Sequence, residues 1–185
     1  MLSPETIIAQ TKKWIIDVVI GLNFCPFAAR EVKRDSIFFE ITNTENTKEV
    51  LEALAKSFIT MDKDEGIETL LLILPTGFEK FSTYLKMLDV SEQLINKLGY
   101  EGVYQVASFH PQYLFAGSKE NDPANYTNRS PYPMLHILRE KSLSRVIDSH
   151  PDTLKIPENN IELTRQKGLA QMQLLRSASM HINQS

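Results

Sequence analysis

The sequence predicts an α/β fold. The expected form is a small three-layer or two-layer sandwich with a mostly parallel sheet of about three strands, covered by helices in the order α-β-α-β-α-β-α-α. Two observations predict it. Apolar residues recur at helical spacing in segments that alternate with short β-branched and aromatic runs. One of those runs, Leu70 to Leu74, is apolar throughout, as a strand buried on both faces would be. Alternation of this kind implies right-handed crossovers between parallel neighbours. One antiparallel strand would give the two-layer form instead.

The elements follow in order. Ser3-Pro4 is a helix start, a capping hydroxyl followed by proline at the first helical position. Ile8, Ile15, Val18, Val19 and Leu22 continue it as one stripe, with Trp14 beside them, to an end near Gly21–Asn23. Cys25-Pro26-Phe27 is proline-interrupted and irregular. Ser36 to Thr42 alternates Ile37, Phe39 and Ile41 on one face, the period of a strand. Val50, Leu51, Leu54, Phe58 and Met61 make a helix, and Thr69 to Leu74 the buried strand. Phe81 to Leu98 makes the next helix, closed by Gly99, and Val103 to Phe109 a third strand. After a long polar segment, Leu135, Leu138, Leu143, Val146 and Ile147 suggest a helix from Pro133 to Ser149. Pro157 opens a last helix carrying Ile161, Leu169, Met172 and Leu175. Residues 1–185 are expected to form a single domain, with 177–185 as a flexible tail.

Composition narrows the function. Hydrophobic residues make up 42% and charged residues 23%, values of a globular chain, and the net charge of -3 comes without a Lys/Arg run. Neither nucleic acid nor a membrane is therefore an expected partner. The single Cys25 permits no intrachain disulfide, and the first residues lack the basic and apolar regions of a secretory signal. The two glycosylation sequons at Asn125 and Asn128 are read as chance matches, and the expected compartment is the cytoplasm.

The informative stretch is Ser108 to His136. Connections beyond about 12–15 residues are uncommon unless functional or disordered, and 110–132 exceeds that. Tyr113, Phe115, Tyr126 and Tyr132 argue for an ordered, packed loop. Ligands of α/β sheets bind beyond the carboxyl ends of strands, where this loop begins. His110 can transfer protons near neutral pH, and Arg129 offers a planar fork for a carboxylate or phosphate. Asn125, Tyr126, Asn128, Ser130 and Arg139 are candidate ligand-orienting groups. The plainer reading of Asn125 and Asn128, with Asp122, is loop scaffolding by short polar side chains. For His110 it is a hydrogen-bonded structural histidine, and for Arg129 a salt bridge.

His136 and Glu140 are four apart on the expected helix and would share a face, so with His110, and with His150 as a further candidate, they are candidate metal ligands. No HExxH or paired-cysteine motif accompanies them. Cys25 is a candidate nucleophile paired with a histidine. Its loop, however, leads into the first strand, at the other end of a parallel sheet from the long loop.

Three groups of segments resemble a bacterial family catalogued as domain of unknown function 1415. They are Gly21–Ala28 with Tyr104–Pro111, the string Asp122-Pro123-Ala124-Asn125-Tyr126-Thr127-Asn128-Arg129-Ser130-Pro131-Tyr132-Pro133, and then His136–Glu140, His150–Asp152 and Ile156–Asn160. The resemblance implies a stand-alone soluble protein of this size. It carries over no catalytic residue and no cofactor.

The leading expectation is a small-molecule enzyme acting on an anionic substrate by histidine acid/base chemistry at the 108–136 loop. His110 would move the proton and Arg129 would hold the anion. The alternatives are a metal-dependent hydrolase or metal-binding protein, and a non-catalytic binding module. Cofactor and oligomeric state stay open.

Overall fold

In the computed structural model, which describes residues 2–149 and 151–182, one four-stranded sheet lies between two layers of helices. Helix α1 spans Pro4–Trp14, capped by Ser3 Oγ on Thr6 N at 3.3 Å. It continues into a wider π-helical turn over Ile15–Ile20. Gly21 follows this turn, and only glycine fits there because a Cβ would lie 2.3 Å from Asp17 O. Short helix α2 spans Ala28–Lys33, strand β1 Ile37–Ile41 and helix α3 Thr47–Lys63. Strand β2 is Thr69–Ile73, α4 is Phe81–Lys97 and β3 is Tyr104–Phe109. A 3₁₀ turn covers Pro123–Thr127. Strand β4 follows at Met134–Arg139 and helix α5 at Glu140–Ser149. A second 3₁₀ turn, Pro151–Lys155, leads to α6, Ile156–Lys167, and α7, Leu169–Ser179.

The strand order is β1-β2-β4-β3. β1 and β2 are parallel, while β4 is antiparallel to both β2 and β3. The sheet therefore has four strands, not three, and is not mostly parallel. The three expected strands do point the same way. The fourth was expected to be the start of a helix. Its spacing, Leu135 and Leu138 ahead of Leu143, fits a helix. Yet Met134, Leu135 and Ile137 are fully buried between β2 and β3, and a strand covered on both faces lacks the polar alternation that would distinguish it from a helix.

Both faces are packed. Leu70, Leu72, Leu74, Leu135, Ile137 and Tyr104 meet α3 and α4 through Leu54, Phe58, Met61 and Tyr84. Leu71, Ile73 and Met134 meet Ile7, Trp14 and Val18 of α1 and the π turn, with Met172 of α7. Burying each such side chain contributes roughly 1.5–3 kcal/mol.

The last helix is two helices. Gly168, at φ +80°, breaks it between Lys167 and Leu169. α7 runs on through Ser179, and Gln10 Nε2 donates to Met180 O at 2.6 Å. Helix α7 thus covers the first residues of the expected tail, and residues 183–185 of it lie outside the described residues.

Candidate functional site

The long loop is closed at its base by the β3–β4 pairing of Phe109 with Met134, so residues 110–133 leave and re-enter the sheet at neighbouring positions. It stands beyond the carboxyl ends of β2 and β3. Its interior is built from polar side chains bonded to its own backbone. His110 is fully buried. Its Nε2 donates to Phe78 O at 2.8 Å, and its Nδ1 accepts from Gln112 N at 2.9 Å. These partners set the tautomer. Phe81 and Tyr84 pack on the ring at 5.1 and 5.0 Å. Burial, foremost, holds its pKa below the usual histidine value.

Asn125, also fully buried, accepts from Phe115 N at 3.0 Å and donates to Lys119 O at 2.9 Å, pinning the far arm of the loop. Asn128 Nδ2 donates to Ser108 O at 3.2 Å. Ser130 Oγ donates to Tyr132 O at 2.5 Å. Arg129 donates through Nε to Tyr113 O and through Nη2 to Glu120 O, both at 3.0 Å, with its guanidinium 4.8 Å from the centre of the Tyr126 ring. Its carboxylate partner, the plainer expectation, is absent among the described residues. Asp122 caps the 3₁₀ turn at Ala124 N and takes both arms of Arg165 from α6 at 3.1 and 2.7 Å. That fork, first among the causes, brings its carboxyl down to about 2.

So the structure brings together His110, Asn125, Tyr126, Asn128, Arg129 and Ser130, and it gives each a scaffolding task. Open space lies outside them. Phe115 to Lys119, Asn121 to Ala124 and, across from them, Ile161 and Arg165 line an open trough of about 650 Å³, whose walls include neither His110 nor Arg129.

The remaining candidates stand elsewhere. Arg139 pairs in register with Tyr104, at the end of the sheet away from the Phe109–Met134 pair. Five residues at about 3.3 Å each put about 17 Å between them. Cys25 precedes α2, which is tied to the start of β1 through Glu31 and Ser36. It is free and partly exposed, and its neighbour Phe24 O accepts from Asn160 Nδ2 of α6 at 2.8 Å. His136 lies within β4 and Glu140 opens α5, so they do not share a helix face, as the metal reading required. Thr69 Oγ1 donates to Ile137 O at 2.7 Å, which leaves its oxygen to accept from His136 Nε2 at 2.6 Å. No group of three or more histidine, cysteine, aspartate or glutamate side chains is placed to hold a metal among the described residues. His150 lies outside the described residues.

The geometry adds a residue that the sequence reading passed over. Arg176 of α7 donates through Nη1 to Pro111 O at 3.3 Å, while its Nε is buried with no hydrogen-bond partner among the described residues. Burial first, and the neighbouring Arg129 charge with it, push the guanidinium below its ordinary pKa. A signal was present. Arg176 is four residues after Met172, which is 1% exposed, so it sits on the buried stripe of its helix.

The profile of a family described as "Protein of unknown function (DUF1415)" matches residues 6–174. The chain belongs to this family. The match agrees with the resemblance carried by the Asp122–Pro133 string. No curated protein and no solved structure matches the chain. The DUF1415 segment contains every loop residue above, while Arg176 falls just beyond it. None of the described helices is long and apolar enough to cross a membrane.

One prediction arises at His136. Burial lowers its pKa from 6.5 to about 4. The unfolded chain therefore takes up a proton before the folded one does. This contribution to stability is intact above about pH 6.5 and is lost as the pH falls toward about 4, by up to about 3 kcal/mol. Urea unfolding of the wild type and His136→Gln at about pH 7.5 and about pH 4.5 checks it. The expected result is a smaller acid destabilisation in the variant, and equal destabilisation in both would contradict it.

Proposed function

We propose that the protein binds the anionic group of a small molecule, a phosphate or carboxylate, at Arg176 and Arg129 under the long loop. The observation that carries this reading is the orphaned Nε of Arg176 beside a second guanidinium, with no carboxylate among the described residues to neutralise either. Two like charges held together and partly out of water are costly unless an anion joins them. Arginine donors suit both oxyanions. Arg176 as a whole is only partly buried, although its Nε is enclosed. In this reading His110 shapes the wall. Proton transfer by His110 is not part of it, because both ring nitrogens are engaged by backbone groups in a sealed position.

Calorimetric titration with inorganic phosphate and, separately, citrate tests the reading. Wild type should bind one of them, and Arg176→Gln should weaken binding by about 10–100-fold, the value of one to two charge-assisted hydrogen bonds. Absence of binding, or equal affinity in the variant, overturns it.

A further inference from the structure

Strand β1 is one outer strand of the sheet and β3 the other. The bonds flanking β1 fix which of its backbone groups face inward. Ser36 O accepts from Thr69 N, and Thr42 N donates to Ile73 O. In a parallel pair the N–H and C=O of one residue turn to the same side, and the side alternates along the chain. Phe38 and Glu40 therefore face β2. Ile37 and Phe39 turn their N–H and C=O outward, and no partner meets them among the described residues. In a parallel ladder, a C=O and the N–H two residues on serve the two ends of one neighbouring residue. Ile37 O and Phe39 N thus form a seat one residue long.

Beside this seat, β1, the π turn and α2 enclose a crevice of about 100 Å³. A cavity of roughly 150 Å³ holds a six-carbon ring, so only a smaller molecule fits. The crevice carries a charge at each end. At the Phe39 end, Lys12 Nζ stands 5.2 Å from the centre of the Phe39 ring, and no carboxylate pairs with it among the described residues. At the Ile37 end stands the Asp35 carboxylate, also without an ion pair among the described residues. Glu31 lines the same end but is already committed. It is 7% exposed, and its two oxygens accept from Arg30 Nε and Ser36 Oγ, both at 2.6 Å. Between the charges the walls are apolar, Ile15 and Ile16 of the π turn and Val32 of α2.

The geometry points to a binding site for a small aliphatic α-amino acid, held as its zwitterion. The ammonium of the ligand meets Asp35 and donates to Ile37 O. Its carboxylate meets Lys12 and accepts from Phe39 N. The order of the charges selects this ligand. The acid of the protein stands where the strand offers an acceptor, and its base stands where the strand offers a donor. A simple anion would face Asp35, and a simple cation would face Lys12, like charge against like. The apolar walls receive a short side chain such as that of alanine. This site shares no residue with the anion site at Arg176 and Arg129.

Calorimetric titration of the full chain with L-alanine tests this first. One-to-one binding with a Kd at or below about 1 mM is expected, and no binding at that level overturns the proposal. N-acetyl-L-alanine lacks the ammonium, and L-alaninamide lacks the carboxylate. Each should bind at least about 10-fold more weakly, the loss of one charge-assisted hydrogen bond. Equal affinity for either one overturns the zwitterion. Lys12→Gln and Asp35→Asn then locate the site. Both positions are exposed, and asparagine tolerates the φ of +53° at Asp35, so the fold should hold, with circular dichroism as the check. Each change should weaken L-alanine binding by about 10-fold, while Arg176→Gln leaves it unchanged. Affinity that follows Arg176 instead of Lys12 and Asp35 overturns the crevice. Amide shifts of the wild type cover the case where neither variant folds. The Ile37 and Phe39 amides should move as L-alanine is added, and an unchanged pair would reject the site.

Discussion

His110→Ala lowers the unfolding free energy by about 3–4 kcal/mol, and urea unfolding measures it. Three losses add. The fully buried ring leaves a cavity against Phe81 and Tyr84, for which large-to-small changes cost about 2–5 kcal/mol. Phe78 O and Gln112 N each lose their side-chain partner, at about 1–3 kcal/mol per buried unsatisfied group. Partial relaxation of the loop offsets part of that sum. The effect is structural, so any ligand-binding loss should track the loss of fold. A variant within about 1 kcal/mol of wild type would mean that the ring does not anchor the loop.

Arg139→Ala comes next, with an expected cost of about 3 kcal/mol. One guanidinium bonds Ile67 O at 2.9 Å, Met61 O at 2.5 Å, Asp64 O at 3.1 Å and the Tyr104 hydroxyl at 3.2 Å. It thereby ties the last turn of α3 and the start of β2 to β4. Truncation leaves those carbonyls without this donor, and hydrogen bonds to charged groups are worth about 1.5–3 kcal/mol each before relaxation. For a chain of this size the melting temperature should fall by about 6–12 °C in a circular-dichroism melt. Arg139→Lys should recover less than half, because an ammonium cannot span the same acceptors. A fall under about 2 °C for Arg139→Ala would contradict the clamp.

Much of the fold was legible where one element's own pattern decides its structure. Thr69–Ile73 is the buried strand that its apolar run announced, and Gly99, at φ +75°, closes α4 as expected. β4 was not legible, because what distinguishes it is the neighbour on each side and not its own spacing. The site shows the same division. The place of His110 at the end of β3 could be read from the chain. Its role could not, since Nδ1 is taken by Gln112 N two residues on, and whether Nε2 meets a ligand or Phe78 O depends on a turn 32 residues away in sequence. For Asn125 and Asn128, the plainer scaffolding reading is the geometry found. Arg176 escaped notice because its importance comes from Pro111 and Arg129, contributed by a different part of the chain.

The position of β4 also bears on how the molecule is made. It is the last strand in sequence, yet it lies between β2 and β3. A growing chain that has not yet reached Met134 holds a β1–β2 pair and a separate β3, with nothing to join them. The sheet becomes continuous only when a late segment inserts at its middle, after the whole 110–133 excursion has been synthesised. Pairings of such long sequence separation form slowly. During synthesis, the apolar flanks of β2 and β3 that β4 will cover wait exposed, which makes this interval the molecule's most vulnerable to misassociation.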